Sequence, residues 1–293
     1  MGNIELRNPE VLVSAEWLEQ NLDDPKLRIF DCSTVLAFEQ GRDKPYAVLD
    51  CRDEYQNEHI PGSGYLDLQG QFSKSDSRYN MTLPDPETIA AAFGRHGIDD
   101  DTKVVLYSRR SMSWSTRFWW MLYWLGFDNA AVLNGGLERW VEDGRPSTSE
   151  PCNYDPGSIT VKLRPEAFVG KEEVLAAIDN SSVCTINALS PELHSGQNAR
   201  YGRGGRVPGS INVPQIDLID GDTFLFRQPE AIAESFKRQG VTKSKETIVY
   251  CGGGIFATVD AFWLRQLGHD QISVYDNSLS EWASDTSLPI ERD

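Results

Sequence analysis

The chain has 293 residues, 40% of them hydrophobic, and a formal net charge of −16 at pH 7. A field that negative repels phosphates, which excludes nucleic acid and anionic membrane surfaces as partners; the length also exceeds what one core of typical size needs, so two domains are expected. Five cysteines, Cys32, Cys51, Cys152, Cys184 and Cys251, are odd in number and have no CxxC spacing, which points away from a disulfide framework or a zinc site and toward a reducing cytosol.

Residues 1–6 carry no apolar leader, and Leu6 stands where a myristoylation motif wants Ser or Thr. Short apolar runs then alternate with helical patterns, the sign of parallel α/β sheets covered on both faces. Helices are expected at 15–21, 87–96 and 115–125, and strands at 27–31, 104–107 and 130–133. Residues 34–50 and 66–82 show no clear pattern. The most apolar run, 118–127, is about half the length needed to cross a bilayer and reads as a buried helix. After a stretch rich in turn formers, 143–156, the alternation resumes with helices at 171–180, 229–239 and 257–267 and strands at 182–187, 247–250 and 272–275.

The second half repeats the first. Glu87, Ile89, Phe93 and Gly97 return 143 residues later as Glu230, Ile232, Phe236 and Gly240. Leu125-Gly126, Asp128, Val132, Leu137 and Trp140 return at a spacing of 142 as Leu267-Gly268, Asp270, Val274, Leu279 and Trp282. A period that long means two copies of a whole domain. The expected boundaries are 1–148 and 158–293, joined by a linker over 149–157.

The copies differ at one chemically decisive position. Thr102-Lys-Val-Val-Leu-Tyr ends on Ser108, whereas Thr247-Ile-Val-Tyr ends on Cys251 followed by Gly252, Gly253, Gly254, Ile255 and Phe256. A thiol at the mouth of a glycine turn between strand and helix faces converging amides and the positive helix end, which favour the thiolate. Open α/β sheets also place ligands at that edge. Cys251 is therefore the expected nucleophile, and a short amide loop after it suits a persulfide. A cysteine phosphatase would need an arginine clamp, yet 252–260 contain neither Arg nor Lys. The run Gly252-Gly-Gly254-Ile-Phe-Ala257 matches a dinucleotide fingerprint, with Asp276 at a suitable distance, but only 17 residues follow Asp276, too few for the rest of such a fold. No G-x-S-x-G turn supports a serine hydrolase.

A nucleophile that takes sulfur from a small anion needs local positive charge. The densest basic cluster in the second copy is Arg200, Arg203 and Arg206, whose forked donors suit oxyanions. Arg200 and Arg203 are the candidate substrate contacts, and Trp114 is a candidate lining residue between the domains. Cys32 and Cys184 read as inert strand cysteines, while Cys51 and Cys152 fall in polar stretches and read as exposed thiols. His59, His96, His194 and His269 show no metal-ligand spacing, so neither a metal nor an organic cofactor is expected.

Glu58-His-Ile-Pro-Gly-Ser63, Gly205-Arg-Val-Pro-Gly-Ser210, Asn134-Gly-Gly-Leu-Glu-Arg-Trp140, Arg117-Phe-Trp-Trp-Met121 and the Cys251 loop together give a chain that resembles the tandem-domain rhodanese family, the thiosulfate and 3-mercaptopyruvate sulfurtransferases. The resemblance implies two rhodanese domains, the first catalytically silent, with a Cys251 persulfide formed in the cleft between them. It implies a small anionic donor, 3-mercaptopyruvate or thiosulfate, and an acceptor such as cyanide, a thiol or thioredoxin. The three glycines are closer to the mercaptopyruvate branch, because the thiosulfate branch has basic residues there. Phe256 stands where that branch has a small residue or threonine, and Leu189 and Leu193 stand near the two family arginines that hold the substrate anion. The competing expectation is a non-enzymatic sulfur carrier or a redox and interaction module.

Overall fold

The computed structural model describes residues 4–38 and 45–293; residues 1–3, part of the segment read above as lacking an apolar leader, lie outside the described ones. The first sheet contains β1 (Leu12–Val13), β2 (Leu27–Asp31), β5 (Ser63–Tyr65), β6 (Lys103–Tyr107) and β7 (Ala130–Leu133), ordered β1-β7-β6-β2-β5. Between β2 and β5 lies an antiparallel hairpin, β3 (Thr34–Ala37) with β4 (Ala47–Asp50). The second sheet contains β8 (Phe168–Val169), β9 (Val183–Asn187), β10 (Ile211–Asn212), β11 (Glu246–Tyr250) and β12 (Ile272–Tyr275). Its order, β8-β12-β11-β9-β10, is that of the first sheet, and every pairing in both is parallel.

The central strands are buried on both faces, which is why they read as unbroken apolar runs such as Val104-Val105-Leu106. The helices around the first sheet are α1 (Ala15–Gln20), α2 (Arg52–Asn57), α3 (Leu68–Gln71), α4 (Pro86–Arg95), α5 (Ser113–Trp124) and α6 (Gly136–Glu142). Around the second are α7 (Lys171–Ala177), α8 (Pro191–Ser195), α9 (Pro229–Arg238), α10 (Ala257–Gln266) and α11 (Ser278–Trp282). Gly126 and Gly268, a repeated pair, follow α5 and α10 with φ of 84° and 88°, the left-handed residue that ends a helix and favours glycine. No helix among the described residues is long and apolar enough to cross a membrane.

Helices α5 and α10 pack together between the two sheets. Every residue of α5 is buried, so this helix has no solvent face. Trp119 meets Phe262 edge-on at 4.9 Å, and Thr116 Oγ1 lies 2.8 Å from Thr258 Oγ1. One core cluster consequently runs through both domains. The segment after 149 clings to the first domain: the Gly157 amide donates to Gly94 O at 2.8 Å and the Lys162 amide to Leu125 O at 2.8 Å.

Two motifs singled out in the sequence owe their residues to a tyrosine lock. Tyr107 ends β6 with its hydroxyl 2.9 Å from Ser63 Oγ, and Tyr250 ends β11 with its hydroxyl 2.8 Å from Ser210 Oγ. The Pro-Gly-Ser turns thus tie the residue preceding Ser108 or Cys251 to a neighbouring loop. Cys51 departs from its expected exposure: it is 3% exposed, enclosed with Tyr55 and Tyr65 in a small cluster of its own. Cys32 is fully buried, and Cys152 and Cys184 are half-buried.

Candidate active site

Cys251 follows β11, and six residues separate the strand from α10. Its amide donates to Ser278 Oγ at 3.0 Å, the Gly254 amide donates to the same oxygen at 3.2 Å, and Ser278 in turn donates to Tyr275 O at 2.7 Å. One hydroxyl therefore gathers both ends of the turn. Gly254 has φ 73°, and a Cβ there would collide with Asp276 O, so this glycine is required on two counts. The amides of Gly252, Gly253, Ile255 and Phe256 meet no acceptor among the described residues. With the N-terminus of the ten-residue α10 they form an unspent set of donors in the loop that follows the cysteine.

Arg117, fully buried on α5, reaches across from the first domain. Its Nη1 donates to Gly254 O at 3.1 Å, and its Nη2 donates to Met81 O at 3.2 Å and to Asp276 Oδ1 at 2.5 Å. The carbonyl side of the loop is thereby fixed by a charge-assisted fork.

Cys251 is 1% exposed, covered by two tyrosines from different domains. A Cβ at Gly252 would collide with the Tyr201 hydroxyl and one at Gly253 with that of Tyr46, so the glycines admit the phenols. The two rings meet edge-on at 6.3 Å. Burial, then the neighbouring Tyr46 and the Cys251 sulfur, push the Tyr201 phenol far above its ordinary range; burial does the same for Tyr46. Both rings open onto a cavity of about 340 Å³, also lined by Arg78, Tyr79, Asn80, Arg200 and Ser280. Among the described residues no Asp or Glu lines it, and no carboxylate pairs with Arg78 or Arg200. In a chain of net charge −16, this is a local cationic basin of a size for a small acid.

The sequence candidates separate here. Arg200 lines the cavity, with its guanidinium 4.1 Å from the Phe38 ring centroid. Arg203 does not line it: its nitrogens donate to Ala283 O, Leu288 O, Trp282 O and Asp285 O at 2.6–3.1 Å, holding the C-terminal segment. Arg206 is bound to Glu291 and Asp293. Trp114 is 4% exposed within the shared core and does not line the cavity, because α5 is enclosed on all sides. Leu189 and Leu193 are buried in the core. Ile255 is buried too, and half-buried Phe256 packs on the core away from the cavity lining.

Arg78, Tyr46, Tyr201 and Ser278 escaped sequence reasoning. The first three lie in segments with no periodic signal. Ser278 had one: the repeat aligns it with Gly136, so the armed copy has a hydroxyl where the other has none. The consequence is visible at Ser108, whose hydroxyl donates to Ser111 O at 2.6 Å within a tighter turn. There Arg109 contacts Glu58 and Asp31, and Arg110 contacts Glu54.

Comparison with known proteins agrees with this architecture. The Rhodanese-like domain model matches twice, over residues 14–143 and 172–285. The 3-mercaptopyruvate sulfurtransferase of Escherichia coli (strain K12) is 30% identical over 283 residues, covering 95% of this chain and 97% of that protein. The sulfur carrier protein TtuD of Thermus thermophilus is 29% identical, covering 97% and 98%, and rat thiosulfate sulfurtransferase is 29% identical, covering 92% and 91%. The crystal structure of the Escherichia coli 3-mercaptopyruvate sulfurtransferase SseA superposes with a TM-score of 0.79 at 28% identity, over 92% of this chain and 98% of that one. With both halves matched by one domain model and the repeat carried into matching sheet orders, the chain belongs to the rhodanese-like family.

Proposed function

We propose that this sulfurtransferase works through a Cys251 persulfide and takes sulfur from a small anionic donor, 3-mercaptopyruvate in preference to thiosulfate. The Cys251 thiolate attacks the donor's sulfur, leaving the persulfide and pyruvate or sulfite; a thiol, cyanide or thioredoxin then removes the sulfur. The observation that carries this reading is the unspent amide set of Gly252, Gly253, Ile255 and Phe256 after Cys251, roofed by two tyrosines that line a cavity shared with Arg78 and Arg200. Those donors hold negative sulfur before and after transfer. Residues 1–148 form the silent half, since Ser108 offers no thiol, and 158–293 the armed half.

Arg200 supports the donor preference. A single carboxylate is met by its fork, with Arg78 in the same cavity lining, whereas thiosulfate carries a compact dianion against neutral glycines. Cytosolic residence fits the free cysteines.

Mass spectrometry of donor-treated protein tests the chemistry: sulfur is expected on Cys251, and its absence there, or full turnover by Cys251→Ser, overturns the reading. Steady-state kinetics with both donors tests the preference. The sulfur-carrier alternative, favoured by the near-complete cover of Cys251, predicts one stoichiometric burst with small acceptors instead of cycling.

A further inference from the structure

We propose that Tyr201 is the proton donor to the leaving group when the sulfur comes from a carbon-bound thiol, so that this chain is built for donors whose departing fragment is an enolate. The inference rests on the persulfide reading above. It begins from Gly252, the residue after the nucleophile, which has no room for a side chain because the Tyr201 hydroxyl lies over it. Tyr201 belongs to the lining of the cavity a donor would enter, and its hydroxyl, with the Arg200 guanidinium beside it, donates to no acceptor among the described residues. A buried phenol with no acceptor, beside the reacting sulfur, is placed to give its proton to whatever occupies the cavity.

The two donors make different demands. When the Cys251 thiolate attacks the sulfur of a 3-mercapto-2-oxo acid, the S–S bond forms and the C–S bond breaks. The electron pair stays on the carbon as an enolate, so that carbon is reduced to the methyl level while Cys251 sulfur is oxidised to the persulfide. The enolate must gain a proton. Tyr201 gives it, and the proton that came in on the donor's thiol, now on the persulfide, returns to the phenolate. The net reaction is thiolate plus mercapto acid to persulfide anion plus 2-oxo acid, with no outside oxidant or acid. Thiosulfate leaves as sulfite, a stable anion that needs no proton.

The surroundings suit an acid rather than a base. Burial keeps the phenol protonated across the physiological range, while the adjacent Arg200 guanidinium, beside the hydroxyl, favours the phenolate once the proton has moved. Tyr46, edge-on to Tyr201 at 6.3 Å, lies over Gly253 instead and next to Ser280. It is the positioning partner.

The test compares Tyr201→Phe and Tyr46→Phe with wild type in single turnover, reading pyruvate release from 3-mercaptopyruvate and Cys251 persulfidation by thiosulfate. Tyr201→Phe is expected to slow the first by about a hundredfold, the scale of a lost general acid, and to slow the second by at least about tenfold less. Small buffer acids are expected to restore part of the pyruvate rate in this variant alone. Equal slowing with both donors, no slowing with either, or a donor-selective loss in Tyr46→Phe instead overturns the assignment. If wild-type Cys251 gains sulfur from neither donor, the persulfide reading falls and this inference with it; persulfidated Cys251 with unselective variants overturns the inference alone.

Discussion

Thr116 and Thr258, 142 residues apart in sequence, touch hydroxyl to hydroxyl at 2.8 Å where α5 crosses α10. They are the same position of the repeat, so a local two-fold axis passes between them. Other contacts obey it. Asp276, after β12, accepts the Leu83 amide of the first domain at 2.8 Å, and its counterpart Asn134, after β7, accepts the Phe226 amide of the second at 2.9 Å. Trp140 donates to Pro146 O at 2.8 Å and Trp282 to Pro289 O at 2.7 Å. The symmetry fails at the candidate site: Arg117 spans to the Cys251 loop, while the aliphatic Val259 occupies its counterpart.

Arg117 is accordingly expected to hold the domains and the loop together. Removing it strands Asp276 and two carbonyls in the interface, and breaking a buried pair costs about 3–5 kcal/mol. Arg117→Met should lower the urea midpoint by a corresponding amount, and Arg117→Lys should recover little, because one ammonium cannot serve three acceptors on a fork. A midpoint equal to wild type in Arg117→Met refutes the role.

The central strands and the main helices were legible in the sequence because parallel strands buried on both faces leave continuous apolar runs. Observed bounds differ from the expected ones by a few residues at most, as at α7, which ends at Ala177. The edge strands β1, β5, β8 and β10 are two or three residues long and give no pattern. The hairpin of β3 and β4 hides in the stretch without assignment, and so does Tyr46, whose place in the candidate site depends on a tertiary approach to Gly253. Cys251 stood out as a candidate because the repeat supplied its own comparison at Ser108. Arg203 misled because a basic loop looks the same whether its guanidinium faces a cavity or four carbonyls.

The two loop glycines make separable predictions. A Cβ at Gly253 would strike only the Tyr46 hydroxyl, the next ring atom lying at 3.6 Å, an ordinary contact. Gly253→Ala should therefore lose most of its turnover, and Tyr46→Phe added to it should recover about tenfold of the loss, worth roughly 1.4 kcal/mol. At Gly252 the Tyr201 ring carbons are also in the way, so Gly252→Ala is not rescued by Tyr201→Phe. Rescue at both positions, or at neither, in the same persulfidation assay contradicts this geometry.

Arg200 and Arg203 should part company in kinetics and in stability. Losing a charge-assisted contact to the donor carboxylate is worth about 1.5–3 kcal/mol, or roughly one to two powers of ten. Arg200→Ala should therefore raise KM for 3-mercaptopyruvate on that scale with an unchanged melting temperature. Arg203→Ala should instead lower the melting temperature, since it unties Trp282, Ala283, Asp285 and Leu288, and leave KM near wild type. The opposite pattern would show that the loop turns in solution.

Asp260 lies fully buried on α10 with both carboxyl oxygens unpartnered, and burial, with Asp217 adding to it, pushes its carboxyl well above the ordinary range. The sign follows from proton counts. Above about pH 3.9 the unfolded chain has released this proton while the folded chain keeps it, so the group's contribution is fully present below that pH and stability is lost as pH rises. Asn has the shape of the neutral acid and does not titrate. Asp260→Asn should thus be close to neutral in effect at pH 4 and stabilising at pH 8, by about 1.4 kcal/mol for each unit by which burial raises the carboxyl within that window. Chemical unfolding at the two pH values reads the difference directly. A gain that is the same at both would mean that Asp260 titrates alike in the folded and unfolded chain.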